Sequence, residues 1–154
     1  MGQIKTALIS RLTALFHELS FALTPKDYEK LLNAFNTIMA LTTQGSLPDL
    51  PYKLFQLTYS PDPFTRLVAS GALSIHFEVG KRHPVHDLIQ ALERAARSFE
   101  GNRDYFYAYI SALATESPDL PSLIRRLNDD LPSLPDNMRF ALTNVVVKCA
   151  LDLT

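Results

Sequence analysis

The residues best suited to metal binding cluster between positions 76 and 87. Three histidines and two acids lie within this stretch: His76, Glu78, His83, His86 and Asp87. Imidazole nitrogens and carboxylate oxygens are common Zn²⁺ ligands, and two histidines three residues apart can share one face of a helix. Pro84 lies between His83 and His86, however, and favours a turn in which that spacing predicts little. The sequence therefore favours solvated histidines and predicts no metal site.

Other catalytic patterns are sparse. Cys149 is the only cysteine, which excludes an intramolecular disulfide and a four-cysteine metal site. It lies on an apolar stripe, whereas a reactive thiol needs an accessible, electropositive setting, so a buried structural cysteine is predicted. There is no glycine-rich phosphate loop, no nucleophile elbow and no His-Glu-x-x-His helix. We predict a protein that is not an enzyme and holds no cofactor, while an active site of scattered residues stays open.

Tyrosine and arginine side chains mark a candidate surface for a binding partner. Tyr105 and Tyr109 share one side of a predicted helix, and a tyrosine with an apolar body and a polar tip suits a protein groove. Arg94, Arg97 and Arg103 belong to the densest basic region and could meet an acidic peptide. Packing inside the fold explains the tyrosines equally well, and solvated helix faces paired with nearby acids explain the arginines.

The first residues fit a lipidation pattern. In Met1-Gly2-Gln3-Ile4-Lys5-Thr6, Gly2 is followed by a hydroxyl residue at position 6, as in an N-myristoylation acceptor. This start resembles that of several myristoylated viral matrix and signalling proteins. One myristoyl chain binds membranes only marginally, so a second signal is needed, and the amphipathic first helix could supply it. A chance Met-Gly start is the alternative.

Charge and hydropathy limit the classes of partner. The chain has 154 residues, 15 basic and 16 acidic, which gives a net charge of −1 and no general attraction to nucleic acid. No segment has the uninterrupted apolar length of a membrane span or of a secretory signal. We therefore expect a cytoplasmic protein that binds a protein or peptide and no specific nucleic acid. Membrane contact, at the inner face, is expected only if Gly2 is myristoylated, and a homodimer is left open.

The elements that must position these residues are predicted to be helices. Apolar residues recur at three and four residues, and prolines and capping residues separate the segments. Eight helices are predicted over residues 4–19, 25–41, 50–59, 64–79, 84–100 and 103–116, then from 118 or 121 and from 135 onward. Asp62, Asn102 and Thr24 are the predicted capping residues. The fold class is all-α, with helices in antiparallel hairpins.

A period of 35 residues runs through the later part of the chain. The same apolar pair recurs at Leu54 and Leu57, Ile89 and Leu92, and Ile124 and Leu127. The second helix of each later pair repeats four further positions: Val68, Ala72, Ile75 and Val79; Arg103, Tyr107, Ile110 and Ala114; Met138, Leu142, Val145 and Cys149. Such a period is typical of stacked helical hairpins that bury one another's apolar faces. An irregular helical bundle is the alternative, because helices of similar length produce such periods by chance.

One segment suggests a repeat family. Residues 62–73, Asp-Pro-Phe-Thr-Arg-Leu-Val-Ala-Ser-Gly-Ala-Leu, resemble the inner part of a HEAT-type repeat, with its Asp-Pro turn, its arginine and its small residues before Ala-Leu. Residues 134–142 resemble it more loosely. The resemblance covers residues 48–152 and implies an α-solenoid that serves as a scaffold or adaptor and binds along a curved surface.

The sequence thus predicts one α-helical domain over residues 1–154. Residues 1–45 form an N-terminal helical pair, and residues 48–152 form three repeat-like pairs. The predicted function is a non-enzymatic interaction module, either an adaptor, a scaffold or a regulatory subunit. The alternative is a peripheral membrane structural protein, similar to a viral matrix protein and anchored through Gly2.

Overall fold

The computed structural model describes residues 2–44, 49–79 and 84–150, and within these ranges the chain is all-α. Eight α-helices and one short 3₁₀ helix at Leu131–Ser133 occupy this part of the chain. The α-helices are α1 Gly2–Ser20, α2 Pro25–Gln44, α3 Leu50–Leu57, α4 Pro63–Glu78, α5 Pro84–Arg97, α6 Arg103–Glu116, α7 Leu120–Asp130 and α8 Asp136–Ala150. The all-α fold class and the approximate helix boundaries are confirmed.

Capping side chains fix several of these boundaries. The Asp62 carboxylate accepts the backbone N–H of Thr65 at 3.1 Å, and Pro63 occupies the first turn of α4. Asn102 accepts the backbone N–H of Tyr105 at 3.0 Å and begins α6 in the same way. Both bonds satisfy amide groups that have no partner within the helix, so the capping predictions at these positions are confirmed.

The α4 cap gives a matched pair of variants. Asp62→Ala should lower the free energy of unfolding by about 1 kcal/mol, because it removes the capping bond. Asp49→Ala should change it far less, because Asp49 precedes α3 without a capping bond. Urea denaturation of both variants measures the difference. The hydrogen bond from the Thr65 hydroxyl holds the pKa of Asp62 below its usual value. The contribution of Asp62 is therefore present above that usual value and is lost as the pH falls through the lowered pKa.

Helix α4 lies at the centre of the core. It packs against α1, α2 and α3 on the N-terminal side and against α7 and α8 on the C-terminal side. Val68, Ala69, Ala72 and Leu73 of α4 are buried. At Gly71, a side chain would place its Cβ 2.5 Å from a Leu15 methyl group, so a larger residue there would require the Leu15 side chain of α1 to shift.

This central position bears on the two predicted architectures. In a regular stack each hairpin contacts only its neighbours, whereas α4 also contacts α7 and α8, which belong to the last predicted pair. Helix α7 packs mainly on α4, and α8 mainly on α5. These contacts are more typical of the irregular bundle than of a regular solenoid. The HEAT-type resemblance itself stays a prediction.

The 35-residue period describes the first helix of each pair better than the second. The six residues of the recurring apolar pairs, from Leu54 to Leu127, all belong to the core or pack against it. In α6, however, three of the four positions in this register are exposed: Arg103, Tyr107 and Ala114. The predicted register is wrong there. Helix α6 lies at the edge of the bundle, packs on α5 and α7, and buries Phe106 and Leu113 together with Ile110, the fourth position of the register.

Candidate functional site

An open cleft with aromatic walls lies between α3 and α8. It has a volume of about 450 Å³ and is lined by Tyr52, Tyr59, Asp136, Arg139, Phe140, Thr143 and Asn144. Tyr52 is 48% exposed and Phe140 is 70% exposed, so both offer large apolar surfaces to solvent. Exposed aromatic side chains beside a concave surface are the most common centres of protein interfaces.

The floor of this α3–α8 cleft is held by hydrogen bonds. The Thr143 hydroxyl donates to the Arg139 carbonyl at 2.8 Å, which uses its only proton. It therefore accepts from the Tyr59 hydroxyl, whose oxygen lies 2.9 Å away. The Tyr59 ring also packs edge-on against buried Phe55, at a centroid distance of 5.8 Å. These contacts fix Tyr59 across the gap between α3 and α8, so this part of the cleft is preformed.

A second open cleft lies on the other side of α8. It measures about 480 Å³, and α5, the turn after it and α8 supply its lining: Ala95, Ser98, Phe99, Glu100, Asn137, Ala141, Asn144, Val145 and Lys148. The Phe99 ring is held in place by Phe106, at a centroid distance of 4.8 Å. A Cβ at Gly101 would lie 2.6 Å from the Phe99 ring, so a larger residue at this turn would require the ring to shift.

The exposed edge of α8 separates the two clefts. Asn144 lines both of them, and the residues at intervals of four along this edge form what we call the α8 ridge: Asp136, Phe140, Asn144 and Lys148. Residues four apart lie on one side of a helix. The ridge therefore presents one aromatic side chain between two concave surfaces.

The two ends of the α8 ridge carry opposite charges. The Asp136 side chain is 92% exposed although it forms an ion pair with Arg139. Lys148 is exposed, and within the part of the chain that the structure describes it forms no ion pair. The acid stands at the N-terminal end of α8 and the base near its C-terminal end, which also matches the helix dipole. The ridge is consequently polarised along its length.

Tyr109, a predicted partner-binding residue, is engaged within the fold. Its hydroxyl donates to the Asp130 carboxylate at 2.9 Å, and Asp130 also accepts from Arg126 at 2.8 Å. Arg126 in turn pairs with Glu116, so the network joins α6 to α7. Burial, followed by the negative charge of Asp130, raises the pKa of Tyr109 well above its usual value.

The raised pKa of Tyr109 predicts a loss of stability in alkali. The folded protein holds the proton of this hydroxyl, while the unfolded chain releases it at about pH 10. Stability from Tyr109 is therefore complete below pH 10 and declines as the pH rises above it. Unfolding measurements between pH 8 and about pH 11 should show a steeper decline for the wild type than for Tyr109→Phe. Equal slopes would contradict the assignment.

The other predicted partner residues lie on two adjacent helices, α5 and α6. Tyr105 is exposed on α6, one turn from Tyr109 and on the same side. Arg103 folds back, and its Nε donates to the Phe99 carbonyl at 3.1 Å in the turn between α5 and α6. Arg94 and Arg97 are exposed on α5 and form no ion pair with any residue that the structure describes. Arg94 and Arg97 on α5 and Tyr105 on the adjacent α6 are thus accessible, and their role in partner binding stays a prediction.

The structure also bears on the predictions about a metal site, the cysteine and a membrane span. Across residues 2–44, 49–79 and 84–150 no group of three or more His, Cys, Asp or Glu side chains is arranged to hold a metal ion, and His83 lies outside these ranges. Cys149 is buried, as predicted. No helix among the described residues is long and apolar enough to cross a bilayer.

Two basic residues of α1 form contacts with other helices. Gly2 begins this helix. Lys5 Nζ donates to the Thr43 carbonyl at 3.1 Å, and Arg11 forms an ion pair with Glu78. These two cations are the ones that a myristoylated N-terminus would use against anionic lipid. Their contacts tie α1 to α2 and α4 instead.

Comparison of the chain with protein-family models, curated proteins and solved structures found no match.

Sequence reasoning did not identify the residues of the α3–α8 cleft. Tyr52 and Phe140 are 88 positions apart, and no local pattern links them. One signal was present, because Phe140 interrupts the polar side of α8 between Asp136 and Asn144. A large aromatic residue among polar positions of an amphipathic helix indicates a contact surface outside the core.

Proposed function

We propose that the chain is a non-enzymatic interaction module, an adaptor, scaffold or regulatory subunit, that binds a protein on the face formed by α3, α8 and α5. The observation that carries this proposal is the pairing of exposed aromatic residues, Tyr52 and Phe140, with an open cleft of about 450 Å³. A few residues carry most of the binding energy of a protein interface, and aromatic side chains are enriched among interface residues. The implication of a scaffold or adaptor, from the HEAT-type resemblance, points in the same direction.

The geometry favours a protein over a small molecule or a nucleic acid. Small-molecule sites enclose most of their ligand, while these two clefts are open and lie side by side across the α8 ridge. Nucleic acids require several free cations to contact phosphates. Here Arg139 is paired with Asp136, and the second cleft is lined by the acid Glu100 as well as by Lys148. A partner surface with projecting apolar side chains matches this face.

The charges of the α8 ridge define the chemistry of the partner. The exposed Asp136 favours a basic group at one end of the docked segment, and Lys148 favours an acidic group at the other. Between them, apolar side chains of the partner would enter the two clefts. The docked segment is therefore apolar in its middle and oppositely charged at its ends.

Site-specific photo-crosslinking tests the proposal. A phenylalanine that carries a photo-reactive benzophenone group is introduced at position 140 and the protein is expressed in its native cells. On illumination it should form crosslinks to another protein molecule. The same residue at position 21 is the control, because Phe21 is an 88% exposed aromatic in the turn between α1 and α2. Crosslinks from position 140 alone support the proposed face. No crosslinks, or the same products from both positions, would reject it.

The membrane alternative has its own measurement. If Gly2 is the acceptor, the intact mass of the protein from a eukaryotic host should include one myristoyl group. Binding to vesicles would then have to arise from the acyl chain with little help from Lys5 and Arg11, whose side chains contact α2 and α4. An unmodified N-terminus would remove this alternative and leave the interaction module.

A further inference from the structure

The α8 ridge is self-complementary. Asp136 and Lys148 are twelve residues apart, and Phe140 and Asn144 lie between them at equal distances from position 142. If two copies of α8 meet in antiparallel orientation at the level of position 142, each Asp136 faces the second copy's Lys148. Phe140 of each copy then faces the second copy's Asn144. A surface that matches itself after a half-turn is the requirement for a two-fold symmetric interface.

We propose that the partner docked on this face is a second copy of the same chain, in a two-fold symmetric dimer across α8. The proposal rests on the proposed function, because it uses the same face and names its occupant. Each Phe140 enters the clefts of the second copy beside Asn144, the residue that borders both of them. The 70% exposed ring is thereby removed from water in both copies.

The charges select both the orientation and the register. Antiparallel docking brings each acid opposite a base, whereas parallel docking would bring Asp136 to Asp136 and Lys148 to Lys148. Both side chains are available, because Asp136 remains 92% exposed beside Arg139 and Lys148 has no ion-pair partner among the described residues. Side chains at intervals of four form the ridges along which helices most often pack against each other.

The oligomeric state in solution tests the dimer. Sedimentation velocity of the full chain should show a concentration-dependent dimer. Phe140→Ser should raise the dissociation constant of this dimer about thirty-fold, as expected for loss of a central anchor. Phe21→Ser is the matched control, since it removes an aromatic side chain that is even more exposed, at 88%, but lies away from α8, and it should leave dimerisation unchanged. A wild type that stays monomeric at about 100 µM, or a Phe140→Ser variant that dimerises equally well, would overturn the inference.

A charge exchange tests the antiparallel register independently of Phe140. Asp136→Lys and Lys148→Glu should each weaken the dimer severalfold at low salt, because each places like charges opposite one another. The double variant should recover the affinity, because every acid again faces a base. Recovery supports the register, and a double variant weaker than either single variant contradicts it. Circular dichroism of each variant verifies that the helices remain intact.

The outcomes separate this inference from the proposed function. If the protein is a monomer and position 140 crosslinks to a different protein, the dimer proposal is rejected and the proposal of an interaction module is retained. A monomer without any crosslink from position 140 would reject both. A dimer whose position 140 crosslinks to a second copy supports both.

Discussion

Leu73→Ala should lower the free energy of unfolding by about 2–5 kcal/mol, the usual range for truncation of a buried leucine. Leu73 is fully buried in α4, and α4 packs against five other helices, so the surrounding structure has little freedom to fill the cavity. Urea denaturation followed by circular dichroism gives the value. The transition should stay cooperative, because the N-terminal and C-terminal helices share α4.

Leu67→Ala is the matched control for this prediction. Leu67 is a half-buried leucine on the same helix, so its truncation should cost distinctly less. Equal losses for the two variants would show that α4 is not embedded on its Leu73 side. Independent melting of the N-terminal helices in the Leu73→Ala variant would contradict the shared centre and favour separable stacked pairs.

Phe106→Ala should lower the free energy of unfolding by about 3–5 kcal/mol, a loss similar to that of Leu73→Ala. Phe106 is fully buried, and its ring supports Phe99, a wall of the cleft between α5 and α8. The variant should therefore both destabilise the protein and weaken docking on the α8 face. Thermal unfolding measures the first effect, and the dimerisation constant measures the second.

The neighbouring aromatic residue provides the control. Tyr107→Ala should cost distinctly less than Phe106→Ala, because Tyr107 is 37% exposed on α6 whereas Phe106 is fully buried. The 35-residue register places Tyr107, and not Phe106, on the repeated side of α6. A larger loss at Tyr107 than at Phe106 would restore that register and overturn the packing of α6 described above.

The helices themselves were predictable because their signals are local. Asp62 and Asn102 cap helices through bonds that span three residues, and proline geometry acts within one turn. The recurring pairs from Leu54 to Leu127 were predicted to be apolar contacts, and they lie in or against the core. Periodicity of this kind reports which side of a helix is buried. It does not report which other helix covers that side.

The packing partners were not predictable for that reason. The period of 35 residues suggested neighbour-to-neighbour contacts, but α4 also contacts α7 and α8. In α6 a rotation of one residue buried Phe106 in place of Tyr107. Among the predicted partner residues, Tyr109 became part of a hydrogen-bond network and Arg103 closed a turn. Local sequence patterns do not determine such contacts between residues that are far apart in the chain.

By itself the amino-acid sequence determined an all-α chain, the helix starts at its capping residues, a buried Cys149 and a near-neutral charge. Only the tertiary structure decided that α4 would be the centre and that α3 and α5 would flank α8 with a cleft on each side. The physical reason is the distance along the chain over which each kind of interaction acts. Capping and amphipathicity act over one or two helical turns, whereas a docking surface is made by side chains that only the complete packing of the core brings together.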